Sequence, residues 1–287
     1  MGEVLVGRYQ LFFKTVLNEA ANTWMGRDLV ERRYVSLKIY RLADSIQEDL
    51  QRELAMYERI TQCAKLDKPD HHDDAPSGRH SVTILLDNFT LVGEAGEHQV
   101  LVYPAMWESL KDFTDRRRSG RVPAPYLRRI VKEILYALRF LHEECQVIHT
   151  NLNLENKFLR DVDIGDICEE EIGYNFHNHA HSKEVNGRPL YMAASPDLHR
   201  LKKISRVYIL DLAHAVLADE KHTKRCLKQE YRAPEDVLGI PWGKNVDLWA
   251  LGCMVWKLHE GTSLFSGVPS PRRDDGGYWN AAQSNHG

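Results

Sequence analysis

No stretch of the 287 residues reaches the roughly 18 consecutive apolar residues of a membrane-spanning helix, and the N-terminal Met-Gly-Glu-Val has no basic-then-apolar leader. Gly2 is not read as a lipidation site, because Val6 stands where Ser or Thr is required. No Cys-x-x-Cys pair occurs. The five cysteines (Cys63, Cys145, Cys168, Cys226, Cys253) form an odd set that suits reduced intracellular thiols better than a disulfide scaffold. A net charge of -3 excludes a global attraction to nucleic acid or to an anionic membrane. What remains is an ordinary globular balance, 43% hydrophobic and 28% charged, in a chain long enough for one large domain or two lobes.

Taken in order, residues 8–40 read as three strands: Arg8–Phe13, Thr23–Asp28 and Arg33–Ile39, the last alternating through Val35, Leu37 and Ile39. A helix from about Ser45 to Ile60 places Leu50, Leu54, Tyr57 and Ile60 on one face. Glu53 flanks that face, where a carboxylate can meet a partly buried Lys38. A polar loop containing His71, His72, Asp73 and Asp74 follows and is read as solvated rather than metal-binding. Ser81–Thr90 and His98–Tyr103 read as two further strands around Gly93 and Gly96. Tyr103-Pro104-Ala105-Met106 reads as a hinge whose Pro104 carbonyl and Met106 N–H suit an adenine-like edge. The basic run at Arg116–Arg121 is read as a solvated face. Tyr126–Glu144, preceded by Pro125, is an amphipathic helix through Ile130, Ile134, Leu138 and Leu141.

That helix leads into His149-Thr150-Asn151-Leu152-Asn153-Leu154-Glu155-Asn156-Lys157-Phe158-Leu159, where leucines pin a loop and amides line its rim. A polar insert, 160–206, is acidic first and then carries His177, His179 and His181, read as a loop and not a metal site. Beyond it come a short apolar strand ending in Asp211, the segment Glu230-Tyr231-Arg232-Ala233-Pro234-Glu235, and an apolar helix from Asn245 enclosing Asp247. A buried acid of that kind requires hydrogen-bonding partners. Residues 269–287 are rich in Gly, Pro, Asn and Ser and are expected to be disordered.

The ordered set Val35-Ser36-Leu37-Lys38, Glu53, His149–Asn156, Asp211-Leu212-Ala213, Ala233-Pro234-Glu235 and Asp247 resembles the motif series of protein kinases. Within that fold the chain is most similar to SR-protein kinases of the divergent fungal type. His149-Thr150, Asn186–Tyr191, Tyr231–Glu235 and Leu248–Cys253 carry this resemblance. It implies an α+β, two-lobed fold: a sheet-plus-helix lobe over 8–103 and a mainly helical lobe over 104–268, ending soon after its central helix. It further implies ATP and Mg²⁺ as cofactors. Lys38, Glu53, Tyr103, Pro104, Met106, Asn156, Phe158 and Asp211 would line the nucleotide, with Asn156 and Asp211 on the metal. Glu235 would pair with an arginine from further helices, and Asp247 would cap the catalytic-loop backbone.

The chain departs from the family where chemistry is done. Asn151 stands at the position of the base and Asn153 at that of the lysine that neutralises the transferring phosphoryl group. Val16, Asn18 and Ala21 replace the three glycines of the phosphate-covering loop. Thr23 and Ser36 bring hydroxyls into the purine slot, Phe158 enlarges its floor, and Thr150 removes the arginine that reads a phosphorylated activation loop. Two readings follow. One is a pseudokinase that engages protein partners, inside the cell, with weakened ATP and Mg²⁺ binding. The other is a divergent active serine/threonine kinase.

Overall fold

The computed structural model describes residues 2–17, 21–41, 44–65, 78–93, 96–106, 108–115, 117, 119–155, 157–160, 165, 168–169, 173, 182–185, 188–191 and 206–265. Asn18, the loop at His71–Asp74, Asn156, the histidines 177, 179 and 181, and the tail 269–287 lie outside these residues; for Val16, Phe158 and the strands of the insert only the backbone is described.

The elements run β1 (Val4–Leu5), β2 (Tyr9–Leu17), β3 (Ala21–Asp28), β4 (Arg33–Tyr40), α1 (Asp44–Lys65), β5 (Asp87–Gly93), β6 (Gly96–Pro104), β7 (Glu108–Ser109), α2 (Leu110–Asp115), α3 (Ala124–Arg139), β8 (Val147–Ile148), β9 (Lys157–Arg160), β10 (Ser182–Val185), β11 (Arg188–Tyr191), β12 (Arg206–Ile209), β13 (Val216–Leu217), α4 (Pro234–Leu238) and α5 (Asn245–Glu260). The first six strands form one antiparallel sheet in the order β1-β2-β3-β4-β6-β5. This is the sheet-plus-helix unit expected from the sequence, with β1 added ahead of it. Both β2 and β4 extend beyond their expected ends, and Ser81 lies in a short 3₁₀ turn rather than a strand.

Alternation decides which side of the sheet is which. Val35 and Leu37 on β4 pack with Leu11, Val100 and Val102 on one face. The opposite face, through Tyr40, Leu101 and Tyr103, joins Leu50, Tyr57 and Ile60 of α1 to the core of the helical part. Gly26 permits this pairing, since a Cβ there would meet Gln10 O and Leu37 Cδ1 at 2.7 Å. At the sheet's far end Arg8 donates two bonds to Asp28 (2.8 and 2.9 Å) and one to Asp87, closing β3 and β5 over β2.

Helix α3 buries Leu127, Ile130, Ile134, Ala137 and Leu138, the face its periodicity predicts. It does not run to Glu144 as one α-helix. Phe140–Glu144 widens into a π turn, with Cys145 N–H donating to Phe140 O at 3.0 Å. The wider turn buries His142 toward Asp247 at the start of α5. Gly78 seals the other side of α3. A Cβ there would lie 1.7 Å from the Tyr136 carbonyl oxygen, so only glycine fits. Helix α5 ends at Gly261, whose left-handed φ of 78° lets its N–H reach Lys257 O at 2.9 Å.

Candidate active site

Two short antiparallel strand pairs set the stage. β9 pairs with β12, so the chain leaving the 149–155 loop runs beside the chain entering Asp211. β8 pairs with β13 just outside them. Lys38 reaches down from β4, and Glu53 projects from α1.

The structure brings three of the expected residues together. Lys38 Nζ donates to Glu53 Oε2 at 2.9 Å and Oε1 at 3.2 Å, and to Asp211 Oδ1 at 3.0 Å. Burial opposes the charge on Lys38, but the carboxylates of Asp211 and Glu53 outweigh it and hold the ammonium well above its usual range. Burial also opposes ionisation of Asp211; the Lys38 ammonium overrides it and holds that carboxyl at about 2. Asp211 adopts a left-handed φ of 66° and keeps 30% of its side chain exposed. It is thus an ionised oxygen donor of the kind a hard cation takes.

Glu53 is fully buried and has two further partners that the sequence reading missed. Tyr40 OH donates to Oε2 and Tyr103 OH donates to Oε1 at 3.0 Å. Strand periodicity could have found Tyr40, which shares a face of β4 with Lys38. Burial first, and then the charge of Glu53, raises the Tyr103 phenol well above its usual range, so it stays a proton donor.

Tyr103 and Pro104 close β6, and Met106 follows two residues beyond its end. The Met106 N–H, however, already donates to Ser36 Oγ at 3.0 Å, with both residues buried.

Asp247 organises the 149–155 loop. Its Oδ2 accepts the His149 N–H (2.8 Å) and the His142 Nε2–H (2.8 Å), and its Oδ1 accepts the Thr150 N–H (2.9 Å). Burial alone would raise this carboxyl; the bond from His142 and the nearby His149 lower it instead. The first turn of α5 adds its dipole to the same effect. His149 Nε2–H donates to Leu210 O at 3.0 Å, which leaves Nδ1 to accept the Asn151 N–H at 3.2 Å. Thr150 holds a left-handed φ of 60°, unusual for a β-branched residue, and its hydroxyl donates to His214 O at 2.6 Å. Thr150 therefore ties the loop to the segment after Asp211.

Asn151 and Asn153 are both buried, and they face each other. Asn153 Nδ2 donates to Asn151 Oδ1 (3.0 Å) and to Asn151 O (3.1 Å), while Asn153 Oδ1 accepts the Glu155 N–H (2.9 Å). Beside them a groove of about 460 Å³ is lined by Lys111, Glu155, Lys228, Glu230 and Lys257, with Lys228 paired to Glu155 and Lys257 to Glu230. Asp236, also missed from sequence, is buried next to Arg232 (3.3 Å) and accepts the Cys226 and Leu227 N–H groups. For Glu235 there is no ion pair among the described residues.

The arrangement of lysine, helix glutamate and strand-end aspartate around an acid-anchored loop has a counterpart in sequence. Residues 86–275, more than half of the chain, match the family described as the protein kinase domain. This chain belongs to the protein kinase family. It is similar to a serine/threonine protein kinase of Aspergillus fumigatus, 29% identical over 270 residues that cover 93% of this chain and 61% of the relative. It is similar also to the serine/threonine-protein kinase SRPK of Physarum polycephalum, 26% identical over 280 residues covering 92% of this chain and 63% of that one. SRSF protein kinase 3 of Homo sapiens is 26% identical over 159 residues, 55% of this chain and 26% of the relative. The chain thus spans less than two thirds of the length of these relatives. Together they bear out the kinase fold and its nearness to SR-protein kinases. No helix among the described residues is long and apolar enough to cross a membrane.

Proposed function

We propose that the chain is an SR-protein-kinase-like pseudokinase: an intracellular domain that binds ATP with Mg²⁺ weakly, transfers phosphate little or not at all, and acts through protein partners. The observation that carries this reading is the Asn151–Asn153 pair. A base at position 151 would have to accept a proton from a substrate hydroxyl. Asn151 has no basic group, and its side-chain oxygen already accepts a hydrogen bond from Asn153. Losing a general base costs about 10² to 10⁴ in rate, or roughly 3 to 5 kcal/mol of barrier. Asn153 compounds the loss, since its amide is uncharged and folds back onto the loop where a lysine would reach outward.

The nucleotide part of the reading rests on Lys38, Glu53 and Asp211. Lys38 would bind phosphate oxygens, with Glu53 and its two tyrosines fixing the ammonium, and Asp211 with Asn156 would hold Mg²⁺. The bound metal would supply neutralisation of phosphate charge. Glu53 and Tyr103 would shape the back of the slot, and Pro104, Met106 and Phe158 its purine side.

The intact Lys38–Glu53–Asp211 constellation favours a second reading, an active serine/threonine kinase acting on protein substrates. The two are separated by following ATP and Mg²⁺ binding calorimetrically and phosphate transfer to an Arg-Ser peptide. The pseudokinase predicts binding that Asp211→Ala abolishes, without turnover. Turnover of about 1–100 per second, lost on Lys38→Met, would overturn it. Absence of any binding would remove the nucleotide part.

A further inference from the structure

We propose that Ser36 sets base recognition in this site by occupying the hinge donor that an adenine ring needs. The inference rests on the nucleotide-binding reading above and adds to it a residue that determines ligand choice.

Ser36 lies on β4 opposite Tyr103 of β6, two residues before Lys38. Its Oγ accepts the backbone N–H of Met106 at 3.0 Å, with 4% of Ser36 and 5% of Met106 exposed. Met106 is braced from a second side, where the hydroxyl of buried Thr83 lies 3.8 Å from its sulfur. The donor is therefore neither solvated nor loose. It already has a well-placed partner fixed to the central strand of the sheet.

An adenine edge presents an amino donor and, beside it, the ring acceptor N1. A single backbone N–H makes one linear hydrogen bond, so N1 and Ser36 Oγ compete for the Met106 N–H. With alanine at position 36 the N–H would wait for a ligand, and the bond to N1 would add its full net worth. With serine, binding the base exchanges one buried hydrogen bond for another and leaves a buried hydroxyl to be satisfied anew. The net gain from N1 is then close to nil. Since a typical hydrogen bond contributes about 0.5–1.5 kcal/mol net, Ser36 should lower affinity for adenine nucleotides by about 2- to 12-fold. It should also make the site nearly indifferent to whether N1 is present.

This indifference can be read on the unmodified protein. Calorimetric titration with ATP and with 1-deaza-ATP, each with Mg²⁺, should give affinities within about 2-fold of each other. The Ser36→Ala variant should bind ATP about 5-fold more tightly than the parent, while 1-deaza-ATP should gain nothing, so that the two ligands separate. A parent that loses 10-fold or more when N1 is removed overturns the proposal, as does a Ser36→Ala variant that favours both ligands equally. Should neither protein bind either nucleotide, the nucleotide-binding reading itself fails.

Discussion

Asn153 Nδ2 lies 3.0 Å from Asn151 Oδ1, so the two amides that, on the pseudokinase reading, stand in place of a base and a lysine satisfy each other. The substitutions are coupled: each fills a hydrogen-bonding need the other creates. Restoring Asn151→Asp alone leaves the new carboxylate hydrogen-bonded to Asn153 and short of its cationic neighbour. The double variant Asn151→Asp, Asn153→Lys should transfer phosphate to an Arg-Ser peptide measurably faster than the parent. It should still stay at least about 100-fold below an ordinary kinase, about 1–100 per second, because Val16, Asn18 and Ala21 remain. Full recovery would show that the phosphate-covering loop matters less than argued.

Glu53 is the residue whose loss should hurt the site most. Lys38→Met leaves Glu53 with two tyrosine donors, whereas Glu53→Ala leaves two buried hydroxyls short of an acceptor and takes from Lys38 one of its two carboxylates, Asp211 remaining. Either variant breaks the buried pair, at a cost of about 3–5 kcal/mol, and the two stranded hydroxyls add about 1–3 kcal/mol each to the loss for Glu53→Ala. Urea denaturation should rank Glu53→Ala clearly below Lys38→Met; equal losses would mean the tyrosines contribute nothing.

Thr150 offers a test of strain against hydrogen bonding. Thr150→Val keeps the strained branched side chain and loses the bond to His214 O. It should destabilise by about 0.5–1.5 kcal/mol, the net worth of the part-buried hydrogen bond it removes. Thr150→Gly loses the same bond but relieves about 1–2 kcal/mol of left-handed strain. Glycine should therefore be better tolerated than valine in thermal unfolding, and the reverse order would remove strain from the account.

The Lys38–Asp211 pair predicts an acid response. Asp211 titrates lower folded, at about 2, than unfolded, where an aspartate titrates at about 3.9. Between those values the unfolded chain binds the proton first, so stability rises with pH there. The pair's contribution is complete above about pH 4 and is lost as pH falls toward 2. The parent should lose stability more steeply than Asp211→Asn over that window, with parallel profiles above it; identical slopes throughout would discount the pairing.

How much of this could be read from the chain depended on whether the signal was local. Lys38 was legible because strand alternation and its neighbours Val35–Leu37 announce it, and the helix bearing Glu53 is plain from its apolar stripe. Asp247 was recognisable as an acid needing partners, though it took the fold to show His142 among them, since that histidine reaches it through a π turn with no mark in the pattern. The Ser36–Met106 bond joins residues 70 positions apart, and the contacts of Asp236 depend on where Cys226 and Leu227 come to rest. Neither leaves a periodic trace. Asn151 and Asn153 were legible as departures, but that they bond to each other was not.

The bond from Lys38 to Asp211 spans 173 positions of chain. Closing a loop of that length carries an entropic cost that grows with its logarithm and is met before the contact gives anything back. The sheet and α3 can each form from nearer partners, so the junction holding the candidate site should be among the last parts to assemble. In refolding experiments a probe at Lys38 or Asp211 should lag behind one in α3, and destabilising the pair should hasten unfolding while leaving the folding rate almost untouched.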